Sequence, residues 1–560
     1  MDLPTTPWLS DTVVSVGATL IAYWWVDCAF RRQVWSKAFA ALGVSRMGSN
    51  WALLAATLAG TLFVPWEVTA QWLPLQVFAC VQAVMLAWKS ASEDIDVAAG
   101  EAHWPERGLL VVSAVGAWFS PLWILLQLQL ITEPFHGWKH HGTLPLRAMQ
   151  LAASFVLAAH VTGPLGYAPE TSSGFLMLLF MMIGSHYVIT AVAKGMLGPK
   201  WHSWMLDNRL HHVVASAYVW GWARFLPRAF WARFVKVVKK IERPLQIITF
   251  IAEGAAPLVL LDPMLALGLL FTLSAFHVGV FLTTGILFWE WIVCNALAIS
   301  LILVSDPLVI DAAFGIWPFI GGLVLMIAFP LRGRLWAPTP LGWWDTPLTQ
   351  RVQWRVRGES GQVYGLHNDF MCPHERLYGR VHGCFMVDEP VCTYHLGEVW
   401  RGDLRDEIRS LRDAPERLEQ IHRDFSISIE ESEQTQTHVA YLKRFLRALN
   451  DGKRKFVFPK SLRWLKAPGG QFYYWGDLPR YRGQEPAREV EVWYREEYWD
   501  GEVHHEFLNK KLVAFEVDSG HENREELDEK VVDAMVLIRA QGKLVDVPEW
   551  MVAQAKQLYG

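Results

Sequence analysis

The sequence predicts an all-α polytopic membrane bundle of about eight to ten helices followed by a soluble α+β domain. Three observations carry that expectation. Of 560 residues, 52% are hydrophobic and 30 are Trp, too apolar a composition for a soluble chain of this length. The long apolar runs all precede residue 335. From Arg351 onward they vanish and charge density rises, as in a part that faces water. The division expected is a membrane part over 1–335, a linker over 336–350 and a soluble part over 351–560.

Apolar stretches long enough to cross a bilayer fall at 12–30, 51–66, 72–88, 108–132, 144–161 and 174–196. The pair within 51–88 reads either as two spans or as a re-entrant hairpin. From Pro244 to Leu331 there is no Lys or Arg, and three or four more spans are expected there, broken near Pro257, Pro263 and Pro307. Trp24, Trp25, Trp66, Trp72, Trp88, Trp201 and Trp204 stand at span ends, as an interfacial belt requires. The basic stretch after Pro227 reads as an amphipathic helix lying on lipid headgroups. The N-terminus lacks a basic region and a cleavage site, so the first run is expected to be a retained anchor.

In the later part, the segments after Asp403 and around His438–Leu449 have helical periodicity. The stretch around Asp500-Gly501 reads as two alternating strands joined by a turn, and the last 40 residues read as helical. A net charge of −4 gives no basis for a nucleic-acid partner. The six cysteines are scattered and form no disulfide framework.

Chemistry-bearing residues interrupt the apolar runs at three places. His136, His140 and His141 lie in one loop, with Trp138 between them. Lys194 closes a span that has no other formal charge, and His202, Arg209, His211 and His212 follow it. His277 sits deep in a further apolar run. An ionisable group at membrane depth is expensive and marks either a partner or a function. Desolvation favours the neutral amine, which suits Lys194 to act as a general base; the structural alternative is snorkelling to the interface beside Lys200. For His277 alone the structural alternative is an interhelical hydrogen bond. Glu253 and Glu290 either pair across helices or face the same polar space.

The order of these segments resembles the HTTM family, the integral membrane domain of vitamin K-dependent γ-glutamyl carboxylase and its bacterial relatives. Trp138-Lys139-His140-His141 resembles a Trp-Asn-Asn-His segment that opens a helix in that family. VITAVAKG with Lys194, then Trp201, Trp204 and LDNRLHH, is similar to the family's helix ending in a catalytic lysine and the Trp and Arg-His segment after it. Phe276-His277 resembles a later aromatic-histidine pair. The chain departs from the family at His140, where an Asn is usual, and at Gly195, where a second lysine is usual; the later part resembles nothing in the carboxylase.

The resemblance implies a multi-pass enzyme of a prokaryotic inner membrane that uses a reduced vitamin K or menaquinone-type quinone and O2. Lys194 would be the base that deprotonates the hydroquinone, and the oxygenated species would remove a proton from an unknown protein or small-molecule substrate, with carboxylation of it as the family precedent. His141 and His140 would contact the quinone oxygen or oxyanion. His277, with Trp138, Arg209, His211 and His212, would line the site.

Two further readings compete. The loop histidines resemble one box of the membrane di-iron oxygenases, although His211-His212 lacks the upstream histidine that a second box needs. A membrane-anchored binding or scaffold protein without catalysis is the other. In the later part, Cys372, His374, His382, Cys384, Cys392 and His395 are all zinc-ligand types. Their spacing is not that of a zinc knuckle and equally fits packed β-structure, so no metal is firmly implied.

Overall fold

The computed structural model describes residues 7–31, 34–66, 73–91, 103–132, 143–162, 173–224, 226–332, 335–336, 338, 340–366, 387, 391–392, 396–431, 433–452, 470–471 and 478–518. The first part is helical. Its elements are α1 (Pro7–Arg31), α2 (Val34–Ala41), α3 (Arg46–Thr61), α4 (Leu73–Ala91), α5 (Trp104–Gly116), α6 (Leu122–Thr132), α7 (Thr143–Thr162) and α8 (Ser173–Gly195). There follow α9 (Ser203–Asp207), α10 (Leu210–Val219), α11 (Arg228–Gly254), α12 (Pro263–Thr284), α13 (Trp289–Val304), α14 (Pro307–Ala313) and α15 (Ile316–Leu331).

Among the described residues, five helices are long and apolar enough to cross a membrane: Thr12–Phe30, Leu73–Ala91, Leu144–Thr162, Ser173–Gly195 and Pro263–Thr284. A sixth arises if α13 and α14, bent by 120° where Pro307 restarts the chain, count as one broken span. Eight to ten were expected, and other apolar runs among the described residues form shorter helices. The run 108–132 is two helices rather than one span. Pro121 disfavours helical backbone at Ser120, whose hydroxyl instead donates to the Val64 carbonyl at 2.6 Å. Breaks do fall at the expected prolines: a 3₁₀ turn spans Ala256–Leu260, and Pro263 and Pro307 open helices.

Sequence sets the helix ends locally. Asp262 caps α12 by accepting from the Leu265 amide at 2.9 Å, with Pro263 at the first helical position. Gly285 ends it at φ +76°, where an added Cβ would lie 2.7 Å from the Trp222 ring. α8 is the hub: 89% of its apolar window is buried, against 22% for α12, and it packs on α1, α7 and α11. The amphipathic helix after Pro227 begins where expected, but it runs through Pro244 to Gly254 and buries one face against α8, α9 and α10. It is therefore part of the packed body as well as a surface helix.

Trp24, Trp25, Trp88 and Trp201 are open to the surroundings as a belt requires, whereas Trp66 and Trp204 are buried. Trp66 has a partner inside, donating to the Ala117 carbonyl at 2.7 Å. Trp72 lies outside the described residues.

The later part contains sheet. β1 (Ile286–Leu287) belongs to the helical part, and the rest are β2 (Trp344–Asp345), β3 (Leu348–Gly358), β4 (Val363–Leu366), β5 (Glu398–Val399), β6 (Gly470–Gln471), β7 (Ala487–Trp499) and β8 (His504–Glu516). A four-stranded antiparallel sheet has the order β4-β3-β7-β8. The expected hairpin is β7–β8, whose turn is held by Asp500 accepting from the amides of Glu502 and Val503. α16 (Gly402–Ser410), α17 (Leu418–Asp424) and α18 (Glu433–Asn450) match the expected helices. Every second residue of β3 (Val352, Trp354, Val356) packs with Val490, Val492 and Tyr494 of β7 and with Leu442, Phe445 and Leu446 of α18. The last 40 residues lie outside the described residues.

The stretch 336–350, expected as a linker, carries β2 and the first residues of β3. Gly342, Trp344 and Leu348 pack onto the helices. Gly342 sits so close to the end of α8 that a Cβ would lie 2.9 Å from the Ala193 carbonyl carbon, so a side chain there would push the two parts asunder. Leu197, Trp204 and Met205 share one core with Trp344, Leu348, Val399, Leu404 and Ile408.

Candidate functional site

Lys194 lies in the last turn of α8 and is 8% exposed. It does not snorkel. Its Nζ donates to both carboxylate oxygens of Glu253, at 2.6 Å each, and lies 4.9 Å from the centre of the Trp204 ring. Glu253 sits near the C-terminal end of α11, which packs antiparallel-fashion close enough to present it from the side. A bidentate, charge-assisted pair under an aromatic lid fixes the amine at one point.

Two turns deeper on α8, about 10 Å along the axis, is a second polar group. The Tyr187 hydroxyl lies 2.8 Å from His277 Nε2, and the Asn295 side-chain amide donates to that hydroxyl at 3.2 Å and to Ser274 Oγ at 3.3 Å. The Tyr187 hydroxyl and His277 Nε2 form one hydrogen bond whose direction follows the imidazole tautomer. His277 Nδ1 is buried and has no hydrogen-bond partner among the described residues. His186 is the mirror case. Its Nδ1 donates to the Met182 carbonyl at 2.8 Å, leaving Nε2 as a buried acceptor without a partner among the described residues. The rings of His186, Tyr187 and His277 all stand 5.5–5.7 Å from the ring of Trp291.

At the junction with the sheet part, His211 Nδ1 donates to Glu242 at 2.6 Å, and Arg209 lies 3.8 Å from the same carboxylate. His212 donates through Nδ1 to the Asp345 carbonyl at 3.3 Å. Asn208 and Asp345 bond reciprocally: the side-chain amide donates to Oδ2 at 2.6 Å, and the Asp345 backbone amide returns to Asn208 Oδ1 at 2.8 Å. Burial pushes the Asp345 carboxyl up to about 7. Burial, then the neighbouring His211 and Arg409, holds His212 well below the usual imidazole range.

The structure thus joins Lys194 to Glu253 and Trp204, and His277 to Tyr187 and Asn295, while Arg209, His211 and His212 form a separate cluster at the junction. Among the described residues no histidine is hydrogen-bonded to Lys194. His140, His141, His136 and Trp138 lie outside the described residues, as do Cys372, His374, His382, Cys384 and His395. Cys392 is buried, and its thiol donates to the Leu348 carbonyl at 3.4 Å. No three His, Cys, Asp or Glu side chains converge as metal ligands among the described residues.

Glu253 and Glu290 both pair across helices. Glu290 forms an ion pair with Lys89 of α4, with both side chains fully buried. The two residues His277 and Glu290 lie on different helices because Gly285 ends α12 between them. Sequence reasoning passed over His186, Tyr187, Asn295, Glu242 and Gln246. A signal existed for some of them: His186, Thr190 and Lys194 recur at helical spacing on one face of α8.

Searches against protein-family models, curated proteins and solved structures find no match for this chain.

Proposed function

We propose that this chain is a multi-pass membrane enzyme in which the Lys194–Glu253 pair accepts a proton from a membrane hydroquinone, oxidation by O2 then driving proton abstraction from a second substrate. The observation that carries the reading is the buried, bidentate Lys194–Glu253 pair at the end of the most deeply packed apolar helix. Taking up a proton leaves the pair with one net positive charge. Such a charge is tolerable in an apolar setting only beside the anion formed at the same moment, so the pair favours a substrate that becomes anionic as it gives up its proton.

The residues around Trp291 carry polar atoms and aromatic surface of the kind a quinone-type ring would need. A hydroxyl on such a ring would find an acceptor in His186 Nε2 and a second polar contact in His277 Nδ1, two atoms otherwise buried without partners among the described residues. Trp291 and Tyr187 supply aromatic surface. When bound, the hydroquinone supplies two electrons and the O2 reactivity that no side chain provides. The protein's share is to position the ring and to receive the proton at Lys194.

The test is titration of the purified protein with reduced menaquinone or vitamin K under air, following quinone epoxide. Wild type should oxidise the hydroquinone, and Lys194→Ala should lose turnover by at least about 100-fold, the usual contribution of a positioned base. Unchanged turnover in Lys194→Ala would remove the base role.

A second reading, a membrane-anchored binding protein without catalysis, draws on two pairs of the same kind. Lys89–Glu290 joins α4 to α13, and Arg147–Asp27 joins α7 to α1. If Lys194–Glu253 is a third helix fastener, Lys194→Ala lowers stability and the wild type shows no oxidation above the quinone's own rate in air.

A further inference from the structure

The buried stripe of α11 changes character along its length. Trp231, Val235 and Val238 form its first half, and Glu242, Gln246 and Glu253 continue the same line. On a helix these last three positions fall within about 40° of one another and span about 16 Å. Both ends are occupied. Glu253 holds Lys194, and Glu242 holds His211. Between them Gln246 is fully buried, yet neither its amide nitrogen nor its amide oxygen has a hydrogen-bond partner among the described residues.

A primary amide stripped of water and left unpaired is among the least tolerable groups in a packed interior, and trapped water is the usual remedy. Water at Gln246 would meet an amide that both donates and accepts, with a carboxylate one turn away on one side and another two turns away on the other. At the far end Arg209, with a side chain 32% exposed, approaches Glu242. The line therefore runs from the buried amine to within one side chain of the surroundings.

We propose that Gln246 orders water into a proton path along α11, carrying a proton from the Lys194–Glu253 pair to Glu242 and His211 and out beside Arg209. One proton enters the line at Glu253 for each that leaves at Glu242, so the line itself undergoes no net change. Gln246 is a positioning residue: it orients water and is not protonated. This rests on the proton-accepting reading of Lys194, and its use is plain on that reading, because a base that has taken one proton must lose it before the next turnover.

The path is tested without any substrate. Protein is moved from H2O to D2O, and the rate at which the Lys194–Glu253 pair exchanges is followed by infrared difference spectroscopy, with Glu253→Gln identifying its bands. Gln246→Leu keeps the volume and removes the amide; exchange should slow at least about tenfold. Gln246→Glu restores a hydrogen-bonding group and should recover most of the wild-type rate, which a purely structural role would not require. Glu242→Gln, nearly isosteric, should slow exchange as well and serves if Gln246→Leu does not fold. Exchange at the wild-type rate in Gln246→Leu, or in Glu242→Gln if that variant alone folds, overturns the proposal. Failure of the hydroquinone titration with slowed exchange in these variants overturns the catalytic reading and leaves the path standing.

Discussion

Two buried lysine–glutamate pairs in this protein have the same chemistry and different surroundings. Lys89–Glu290 bridges α4 and α13 with neither side chain exposed. Lys194–Glu253 bridges α8 and α11, with the lysine side chain 10% exposed, an indole over it and the sheet part packed around the helix end. The first pair is enclosed on all sides by helix packing. The second sits where a polar stripe leads away from it. The difference teaches that a buried ion pair is not by itself a mark of function; what surrounds the pair decides whether its proton has anywhere to go.

The comparison is broken most forcefully at Lys89. Replacing it with Met strands the Glu290 carboxylate and should lower unfolding stability by about 3–5 kcal/mol, much of it regained in the Lys89→Met/Glu290→Leu double variant. The same substitution at Lys194 should destabilise less, roughly 1–3 kcal/mol, because its site is nearer the surroundings. Thermal unfolding in one detergent measures all three. Equal losses at the two lysines would erase the contrast.

Next in size is the junction, where burial of the Asp345 carboxyl makes stability depend on pH. The folded carboxyl keeps its proton to about 7, whereas the unfolded chain releases it near the usual 3.8. Its stabilising contribution is therefore full below the lower value and is lost as pH rises through the interval between them. His212 acts in the opposite sense: its folded value lies below 6.5, so its contribution is present above that and is lost as pH falls. Asp345→Asn, which can still pair with Asn208, should remove the loss on raising pH and gain on the order of 2 kcal/mol relative to wild type at pH 8. An unchanged pH profile in unfolding scans would show that the carboxyl is ionised in the folded protein.

A smaller effect sharpens the deep polar group. His277→Phe leaves the Tyr187 hydroxyl without its histidine partner and should lower stability by about 1–2 kcal/mol, with Tyr187→Phe/His277→Phe close to the single variant. Strict additivity in this cycle would show that the 2.8 Å contact contributes nothing. Smallest of all is Lys236–Glu502, a pair whose side chains are 48% and 67% exposed. Lys236→Ala should change stability by less than about 1 kcal/mol, and less still in high salt.

The fold was legible where one local rule ruled alone. Pro263 and Pro307 marked helix starts because a proline has no amide hydrogen to give and is suited to the first turn. Asp500-Gly501 marked the β7–β8 turn because Gly501 supplies a backbone at φ +109°. The 108–132 run was misjudged as one span because its composition is continuous while Pro121 divides its backbone. Lys194 drew attention as a lone charge, but its partner lies 59 residues away and no spacing rule connects two helices that far apart. Gln246 carried no signal at all, since a glutamine in an amphipathic helix is ordinarily a surface residue.

By itself, the sequence determined which segments are apolar enough to leave water, where prolines and glycines end them, and that a charged, sheet-forming part follows. Those properties are local, fixed by hydropathy and backbone stereochemistry within a few residues. Tertiary structure alone decided that Glu253 meets Lys194 while Glu290 meets Lys89, that Gly342, Trp344 and Leu348 are docked onto the helices, and that Gln246 lies between two carboxylates with no partner of its own among the described residues. The reason is physical: an ion pair or a buried amide depends on the crossing of helices distant in sequence, and that crossing is settled by the packing of the whole.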